Sequence, residues 1–235
     1  MPDKHLSSRF DADLDLLSTR LLETGGMVES QVERVLRLMD AYDSALVLQV
    51  LDGEQQLNAM ELELDDEIGN VIARRQPAAR DLRFLMAASK CVTNLERAGD
   101  EARKVAKRLR RIHENGGAQA INTTELRRSG ELALMILRKA LDAFARMDAA
   151  AAAQIVRDDE AVDSSCRAFG RRVVMQMTEA LQTIPVGVEY IFIAKAIERI
   201  GDHAANIAES IVYVVEGRDV RHIPLDRLEH EVLVN

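Results

Sequence analysis

Three pairs of acidic residues are spaced so that each pair would lie on one face of a helix. Four positions separate the members of each pair, and the pairs are Glu96 with Asp100, Asp159 with Asp163, and Glu198 with Asp202. Like charges on one helix face repel each other, and a bound cation is one way to remove that repulsion. A solvated acidic face is the other interpretation of any single pair.

In the first half of the chain, the acids lie at matching distances from a predicted turn. Pro77 breaks the helical pattern, because proline disfavours helix at the residue before it. Asn58 and Glu96 are each 19 residues from Pro77. Glu54 and Asp100 are each 23 residues from it. Residues equidistant from the turn of an antiparallel hairpin lie at the same height, so we expect these side chains to face each other.

The second half repeats this arrangement around a midpoint between residues 180 and 181. Asp163 and Glu198 are equidistant from that midpoint. Asp159 and Asp202 share the same midpoint. Clusters of oxygen ligands on facing helices suit a hard or borderline cation such as Mg²⁺, Mn²⁺ or iron. The two hairpins therefore favour metal binding over a solvated acidic face.

A glycine lies between the two acids of the motif in each half, Gly99 in the first and Gly201 in the second. A missing side chain permits close packing of two helices. It also leaves room for a metal ion or its water ligands. Both interpretations remain open from the sequence.

The elements that would position these acids are helices. Hydrophobic residues make up 47% of the 235 residues but aromatic residues only 3%, and the chain has four prolines and twelve glycines. This composition favours an all-α protein. Periodicity, caps and breakers predict six helices, spanning about 8–39, 44–75, 77–113, 123–147, 149–180 and 184–216. Asp43 is the predicted N-cap of the second helix, and Asn122 with Glu125 predicts a capping box at the fourth.

An internal repeat divides the chain into two units. The segment 95–102 recurs at 197–204, an offset of 102 residues, and the segment 43–58 is similar to 148–163, an offset of 105 residues. The repeat predicts a tandem of two three-helix bundles, with boundaries at residues 1–116 and 117–217. A loosely ordered tail is expected over 218–235, which contains Pro224 and mixed charge.

The motifs carried by this repeat resemble those of the PhoU family, the phosphate-responsive regulators of bacterial phosphate uptake. The similarity extends over essentially the whole chain and rests on QPAARDLR at 76–83, LERAGD at 95–100 and IERIGDH at 197–203. It implies that each repeat is a three-helix bundle whose E(D)-x-x-x-D pairs hold metal clusters on the bundle surface. The implied metal ligands are Glu54, Glu96, Asp100, Asp159, Asp163, Glu198 and Asp202, and the implied metal is Mg, Mn, Fe or Zn.

The resemblance also implies a function without catalysis. It implies negative regulation of the phosphate ABC transporter and of the phosphate-starvation (Pho) response when phosphate is plentiful. The implied partners are the transporter's ATPase subunit and a membrane-bound sensor histidine kinase, and the implied state is a cytoplasmic homodimer that is at most peripheral to the membrane. A carboxylate-bridged metalloenzyme is the alternative, but no Glu-x-x-His motif occurs. A helical scaffold with merely solvated acids is the third interpretation.

Charge and cysteine content narrow the function classes further. The net charge of −8 disfavours binding to nucleic acid. Cys91 and Cys166 are far apart in sequence and are interpreted as buried, inert thiols in a reducing compartment. No apolar leader or segment of about 20 apolar residues is recognised, so a cytoplasmic location is expected.

Two further features have simple interpretations. Six basic residues lie between positions 103 and 111, and we interpret them as a solvated helix end, with a docking patch for an acidic partner or a membrane surface as the alternative. His203 follows Asp202 but points about 100° away around the helix, so it is not counted among the ligands.

The two acidic clusters differ at one position, because Asn58 stands where the second half has Asp163. An amide oxygen can coordinate a hard cation but brings no charge, and the affinity of oxygen sites follows the charge of their ligands. The second-half cluster is therefore expected to bind metal about ten- to a hundredfold more tightly. Asn58→Asp is expected to strengthen the first.

Overall fold

The computed structural model describes residues 8–116, 121–220 and 223. Within these residues the chain forms six α-helices and no strand, so the predicted all-α fold is confirmed. The helices are α1 (Ser8–Asp40), α2 (Ser44–Arg75), α3 (Ala79–Glu114), α4 (Thr124–Arg146), α5 (Ala149–Glu179) and α6 (Ile184–Glu216), with a single 3-10 turn at Leu181–Thr183. None of these helices is long and apolar enough to cross a membrane.

The helices begin and end close to the predicted positions because local signals fix their termini. The Asp43 side chain accepts a hydrogen bond from the backbone N–H of Ala45 at 2.8 Å. Asp148 caps α5 in the same way by accepting from Ala151 at 2.9 Å. Gly217 ends α6 with a φ of 74°, a left-handed conformation that favours glycine.

The predicted capping box at α4 does not form. The Asn122 side chain accepts from the backbone N–H of Thr124 at 3.0 Å, as a cap does. Glu125, however, forms an ion pair with Arg172 of α5. Glu125 therefore pairs with a cation of the neighbouring helix instead of accepting a hydrogen bond from the backbone, as a capping box requires.

Helices α1, α2 and α3 pack together, as do α4, α5 and α6, and α3 packs against α6. Their apolar faces form one continuous core of Leu, Val, Ile and Ala side chains. The α2–α3 and α5–α6 pairs are antiparallel hairpins, and they carry the acidic residues. The boundary between the two units remains a prediction, because residues 117–120 lie outside the described residues, as does most of the predicted tail.

Two equivalent contacts join α1 to α4. A Cβ at Gly25 would overlap the side chain of Leu141, and a Cβ at Gly130 would overlap that of Leu36. The two glycines are 105 positions apart, and so are the two leucines. Gly25 therefore permits close helix packing, and α1 continues through it as predicted.

Candidate metal centre

Three aspartates of the second half converge at one point. Asp159 and Asp163 lie on α5 and Asp202 lies on α6. One carboxylate oxygen from each lies within 4.8 Å of the others. These three residues are the group of metal-ligating side chains that is close enough to share an ion within the described part of the chain. Three carboxylates at this separation have the donor set that a hard divalent cation requires.

Nearby cations compensate the charge of this cluster only in part. Asp159 Oδ1 and Asp163 Oδ1 are buried and accept no hydrogen bond. Burial, followed by the charges of Asp202, Asp163 and Glu198, raises the pKa of Asp159 to about 7. Burial also raises the pKa of Asp163 and of Asp202, and neighbouring carboxylates add to both shifts. A bound cation would relieve this repulsion and supply the missing partner for both buried oxygens.

Glu198, the fourth predicted ligand of this half, is not part of the converging group. Its carboxylate accepts a hydrogen bond from Lys195, three residues earlier on α6, at 2.6 Å. Arg167 lies 3.8 Å from Asp163 Oδ2, a distance too long for a hydrogen bond. Lys195 and Arg167 therefore lie at the outer acids of the cluster, Glu198 and Asp163 Oδ2. The buried oxygens Asp159 Oδ1 and Asp163 Oδ1 remain without a hydrogen-bond partner.

Gly201 makes the convergence possible. A Cβ at Gly201 would overlap Asp159 Oδ1 and would come within 3.5 Å of Val162 Cγ1. The Asp159 carboxylate can therefore approach the backbone of α6 only because residue 201 has no side chain. The space beside Gly201 is thus filled by a carboxylate of the neighbouring helix, which is neither of the two interpretations left open by the sequence.

The first half brings its acids to the same height but pairs them with cations. Arg103 Nε lies 3.5 Å from Glu54 Oε1 on α2, and it donates a hydrogen bond to Asp100 Oδ1 at 3.0 Å. Lys104 Nζ lies 2.7 Å from Asp100 Oδ2. Burial alone would raise the pKa of Asp100, but hydrogen bonds from Lys104 and Arg103 outweigh it and lower that pKa. The pKa of Asp100 is thus lowered, whereas that of its counterpart Asp202 is raised.

Asn58 and Glu96 complete the first-half set without forming an ion-binding group. Asn58 Nδ2 donates to Glu54 Oε1 at 3.2 Å, and Asn58 Oδ1 is buried without a partner. Burial raises the pKa of Glu96, and the charges of Glu61, Asp100 and Glu54 add to the shift. Glu61, whose charge acts most strongly on Glu96, belongs to none of the motifs in the sequence.

Gly99 permits close packing instead of an acidic approach. A Cβ at Gly99 would overlap Leu57 Cδ1. Leu57 is the counterpart of the shorter Val162 at the offset of 105. The buried Gln31 of α1 fills the space beside Gly53 and lies close to Gly99, and neither polar atom of its side chain has a hydrogen-bond partner. In the first half, Leu57 and the amide of Gln31 fill the space beside the glycine of the motif. In the second half, the carboxylate of Asp159 fills the equivalent space.

Arg103 and Lys104 are the residues of the site that sequence reasoning missed. They belong to the basic segment that we interpreted as a solvated helix end, and that interpretation is wrong for these two residues. Their counterparts at the offset of 102 are Ala205 and Asn206. The repeat therefore contained a signal, because the second half lacks both cations.

The histidine and the cysteines lie apart from the three aspartates. His203 Nδ1 lies 3.0 Å from Asn94 Oδ1 on α3, and burial lowers its pKa to about 4. Cys91 and Cys166 are buried free thiols, and burial raises the pKa of each to about 12. Both cysteines are therefore inert, as the sequence predicted.

A cleft of about 690 Å³ between α3 and α6 reaches the clusters of both halves. Asp100 lines it from α3, Asp159 from α5 and Asp202 from α6. Arg97, Lys104 and Arg199 line the same cleft, which opens Asp159 and Asp202 to solvent.

Comparison with known proteins identifies the family. The model of the PhoU domain matches residues 21–109 and again residues 126–211. The chain is 45% identical over 234 residues to a phosphate-specific transport system accessory protein PhoU homolog of Burkholderia sp., and the match covers 99% of this chain and 100% of the relative. The chain belongs to the PhoU family.

Other PhoU proteins agree in sequence and in fold. The phosphate-specific transport system accessory protein PhoU of Escherichia coli K12 is 38% identical, over 97% of this chain and 93% of its own length. The crystal structure of PhoU from Pseudomonas aeruginosa matches with a TM-score of 0.85 and 41% identity, over 89% of this chain and 100% of that one.

A more distant PhoU structure has the same fold. The phosphate transport system regulatory protein PhoU from Streptococcus pneumoniae matches with a TM-score of 0.83 and 27% identity, over 90% of this chain and 99% of that one. These names describe accessory and regulatory proteins of phosphate transport rather than enzymes, in agreement with the non-catalytic prediction.

Proposed function

We propose that this chain is a non-catalytic regulator of phosphate homeostasis. It restrains uptake through a phosphate ABC transporter, and it restrains the phosphate-starvation response, when phosphate is plentiful. The observation that carries this proposal is the match over 99% of the chain to an accessory protein of phosphate-specific transport. Because the match covers the full length of both proteins, the role in the relative's name is proposed for the whole chain and not for one part of it.

The proposed regulation acts through protein contacts in the cytoplasm. The transporter's ATPase subunit and the phosphate sensor histidine kinase are the proposed partners, and the proposed form of the regulator is a homodimer. Long helices with apolar faces pack well in pairs. Light scattering should therefore return a mass near twice the 26.2 kDa of one chain. A mass of one chain throughout the micromolar range would exclude the dimer.

Gene deletion tests the regulatory function directly. A strain without this protein, and without a second copy, should express alkaline phosphatase in phosphate-rich medium, and the wild-type gene should restore repression. A strain that keeps its phosphatase repressed would contradict the proposal. A pull-down from phosphate-replete cells should recover transporter and kinase subunits, and recovery of neither would contradict the proposed partners.

We also propose that the second-half cluster binds a divalent cation, with Mn²⁺, Mg²⁺, Fe²⁺ and Zn²⁺ as candidates. The buried, unpaired oxygens of Asp159 and Asp163 support this proposal, as does the close approach of the Asp159 carboxylate to Gly201 of α6. Asp159, Asp163 and Asp202 would hold the ion, and Glu198 is the remaining acid of the motif. When bound, the ion would neutralise the cluster and tie α5 to α6.

Elemental analysis tests metal binding at this cluster. Protein dialysed against Mn²⁺ and then against buffer should retain the metal, and Asp159→Asn should lose it. Glu160→Gln is the matched control, because it removes one charge from the next, exposed position of α5 and should retain the metal. Equal metal content in the two variants would contradict the assignment.

A further inference from the structure

The acids of the first half already have cationic partners within the protein. Arg103 contacts both Glu54 of α2 and Asp100 of α3, so one guanidinium joins the two helices. Lys104 binds the second oxygen of Asp100 at 2.7 Å and Glu101 at 2.9 Å. Two positive side chains thus balance the two facing acids. In the second half, a divalent ion would have to supply that same charge.

These cations also occupy the atoms that a metal would need. Asp100 Oδ1 accepts from Arg103, and Asp100 Oδ2 pairs with Lys104. Glu54 Oε1 accepts from Asn58 and faces Arg103. A divalent ion has to displace both cations before it reaches the two oxygens of Asp100, and the released cations would remain beside it and repel it.

The partial burial of this network strengthens its ion pairs. The side chains of Arg103 and Asp100 are each only 23% exposed, and that of Glu54 is 21% exposed. Ion pairs shielded from solvent are screened less than surface pairs. Arg103 is held from two helices at once, so its displacement would leave acids unpaired on both.

The second half has uncharged residues at the positions equivalent to these two cations. At the offset of 102, Ala205 stands for Arg103 and Asn206 stands for Lys104. Neither residue carries a positive charge, and the buried oxygens of Asp159 and Asp163 accept no hydrogen bond. The two halves therefore differ in the source of the neutralising charge, and the difference lies three and four residues after the last aspartate of the motif.

We infer that Arg103 and Lys104 are built-in cations that replace a metal in the first half, so that this PhoU protein holds metal only at its second-half cluster. The metal-ligand roles that the family resemblance implies for Glu54 and Asp100 do not fit this half, and Glu96 alone does not complete a site. The single remaining centre rests on the metal binding proposed above. The exclusion of metal from the first half does not depend on it.

Transplanting the second-half residues tests the inference. The full chain carrying Arg103→Ala with Lys104→Asn, freed of metal by chelation, is titrated with Mn²⁺ by calorimetry. It should show one binding event more than the wild type, at least tenfold tighter than any Mn²⁺ binding that the wild-type first half retains. Adding Asp100→Asn to this double variant should remove the new event.

A matched control separates a local effect from a change of net charge. Lys107→Ala with Arg110→Ala removes the same two positive charges from α3 without touching the pairs of Asp100, and it should add no event. A folded Arg103→Ala/Lys104→Asn variant that binds no more Mn²⁺ than the wild type would overturn the inference. So would a wild-type binding event that Asp100→Asn removes.

The test also covers two other outcomes, a double variant that does not fold and a wild type that binds no Mn²⁺. If the double variant does not fold, Arg103→Gln with Lys104→Gln, which keeps most of the side-chain volume at both positions, should show the extra event, and its absence would overturn the inference. If the wild type binds no Mn²⁺ and the double variant binds one ion, the first-half inference stands and the proposed second-half centre fails.

Discussion

The α2–α3 and α5–α6 hairpins place acidic residues at the same height and neutralise them differently. Arg103 and Lys104 pair with Glu54 and Asp100 in the first hairpin. In the second, three aspartates converge and two of their buried oxygens accept no hydrogen bond. An E(D)-x-x-x-D motif on a helical hairpin can therefore form either a salt-bridge network or a candidate metal centre. The residues that follow the motif decide between the two.

The glycine of the motif shows the same divergence in apolar packing. Leu57 fills the space over Gly99, whereas Asp159 enters the space over Gly201, beside the shorter Val162. An identical residue serves close packing in one half and the approach of a carboxylate in the other. The outcome depends on the neighbouring helix and cannot be read from the glycine itself.

The largest expected effect is a loss of stability, and it tests the leucine–glycine contacts that the two halves share. Leu36→Ala and Leu141→Ala each remove a buried side chain that packs against the glycine of the opposite helix. Each should lower the free energy of unfolding by about 2–5 kcal/mol, and the two losses should be similar because the contacts are equivalent. Denaturant unfolding measures both. Losses that differ by more than about 2 kcal/mol would show that the halves are not equivalent in this packing.

Removing one aspartate from each cluster should change stability in opposite directions. In metal-free protein, Asp100→Asn removes the charged acceptor that Arg103 and Lys104 share and should lower the free energy of unfolding by about 1–2 kcal/mol. Asp202→Asn removes repulsion from Asp159 and should leave that free energy unchanged or raised. Unfolding in the presence of a chelator gives both values. Equal losses would contradict the difference between the clusters.

Alanine in place of each glycine should affect different properties. Gly99→Ala forces Leu57 to move and should cost about 1 kcal/mol of stability, since overpacking outweighs the gain in helix propensity. Gly201→Ala should displace the Asp159 carboxylate and weaken Mn²⁺ binding about tenfold, which is about 1.4 kcal/mol. Thermal melts and Mn²⁺ titrations of both variants separate the two effects. A Gly99→Ala variant with weakened Mn²⁺ binding would run against this assignment.

The metal-free protein should also show a pH dependence that differs between the two clusters. The pKa of Asp159 is about 7 in the folded chain, above its ordinary value of 3.8, so the folded state binds the proton more strongly. The contribution of Asp159 to stability is complete below pH 4 and is lost as the pH rises to 7. The lowered pKa of Asp100 acts in the opposite sense, since its contribution is lost on acidification. Chemical unfolding at pH 5 and pH 7 should show a decline that Asp159→Asn reduces, and an unchanged decline would exclude Asp159 as its source.

The sequence predicts the hairpins and their facing acids well because both follow from local rules. Equal distances from a helix break place residues at the same height, and the breaks are marked by Pro77 and by the predicted start of the sixth helix at about residue 184. The structure confirms the pairing of Glu54 with Asp100 through Arg103 and that of Asp159 with Asp202.

Side-chain partners are predicted less well because several partners compete for each acid. Lys195 takes Glu198 although both belong to α6, and Arg103 turns toward α2 instead of solvent. The sequence indicated a weaker first-half site from the missing charge of Asn58, whereas the structure adds two cations that matter more. Gln31 gave no signal, because a single polar residue in an apolar stripe does not reveal what it packs against.

A calorimetric titration of the metal-free chain with Mn²⁺, repeated on Asp202→Asn and on Asp100→Asn, tests the difference between the two halves most directly. The wild type should show one class of site. Asp202→Asn should weaken that binding about a hundredfold, and Asp100→Asn should leave it unchanged. A titration in which Asp100→Asn removes the binding while Asp202→Asn preserves it would contradict the account.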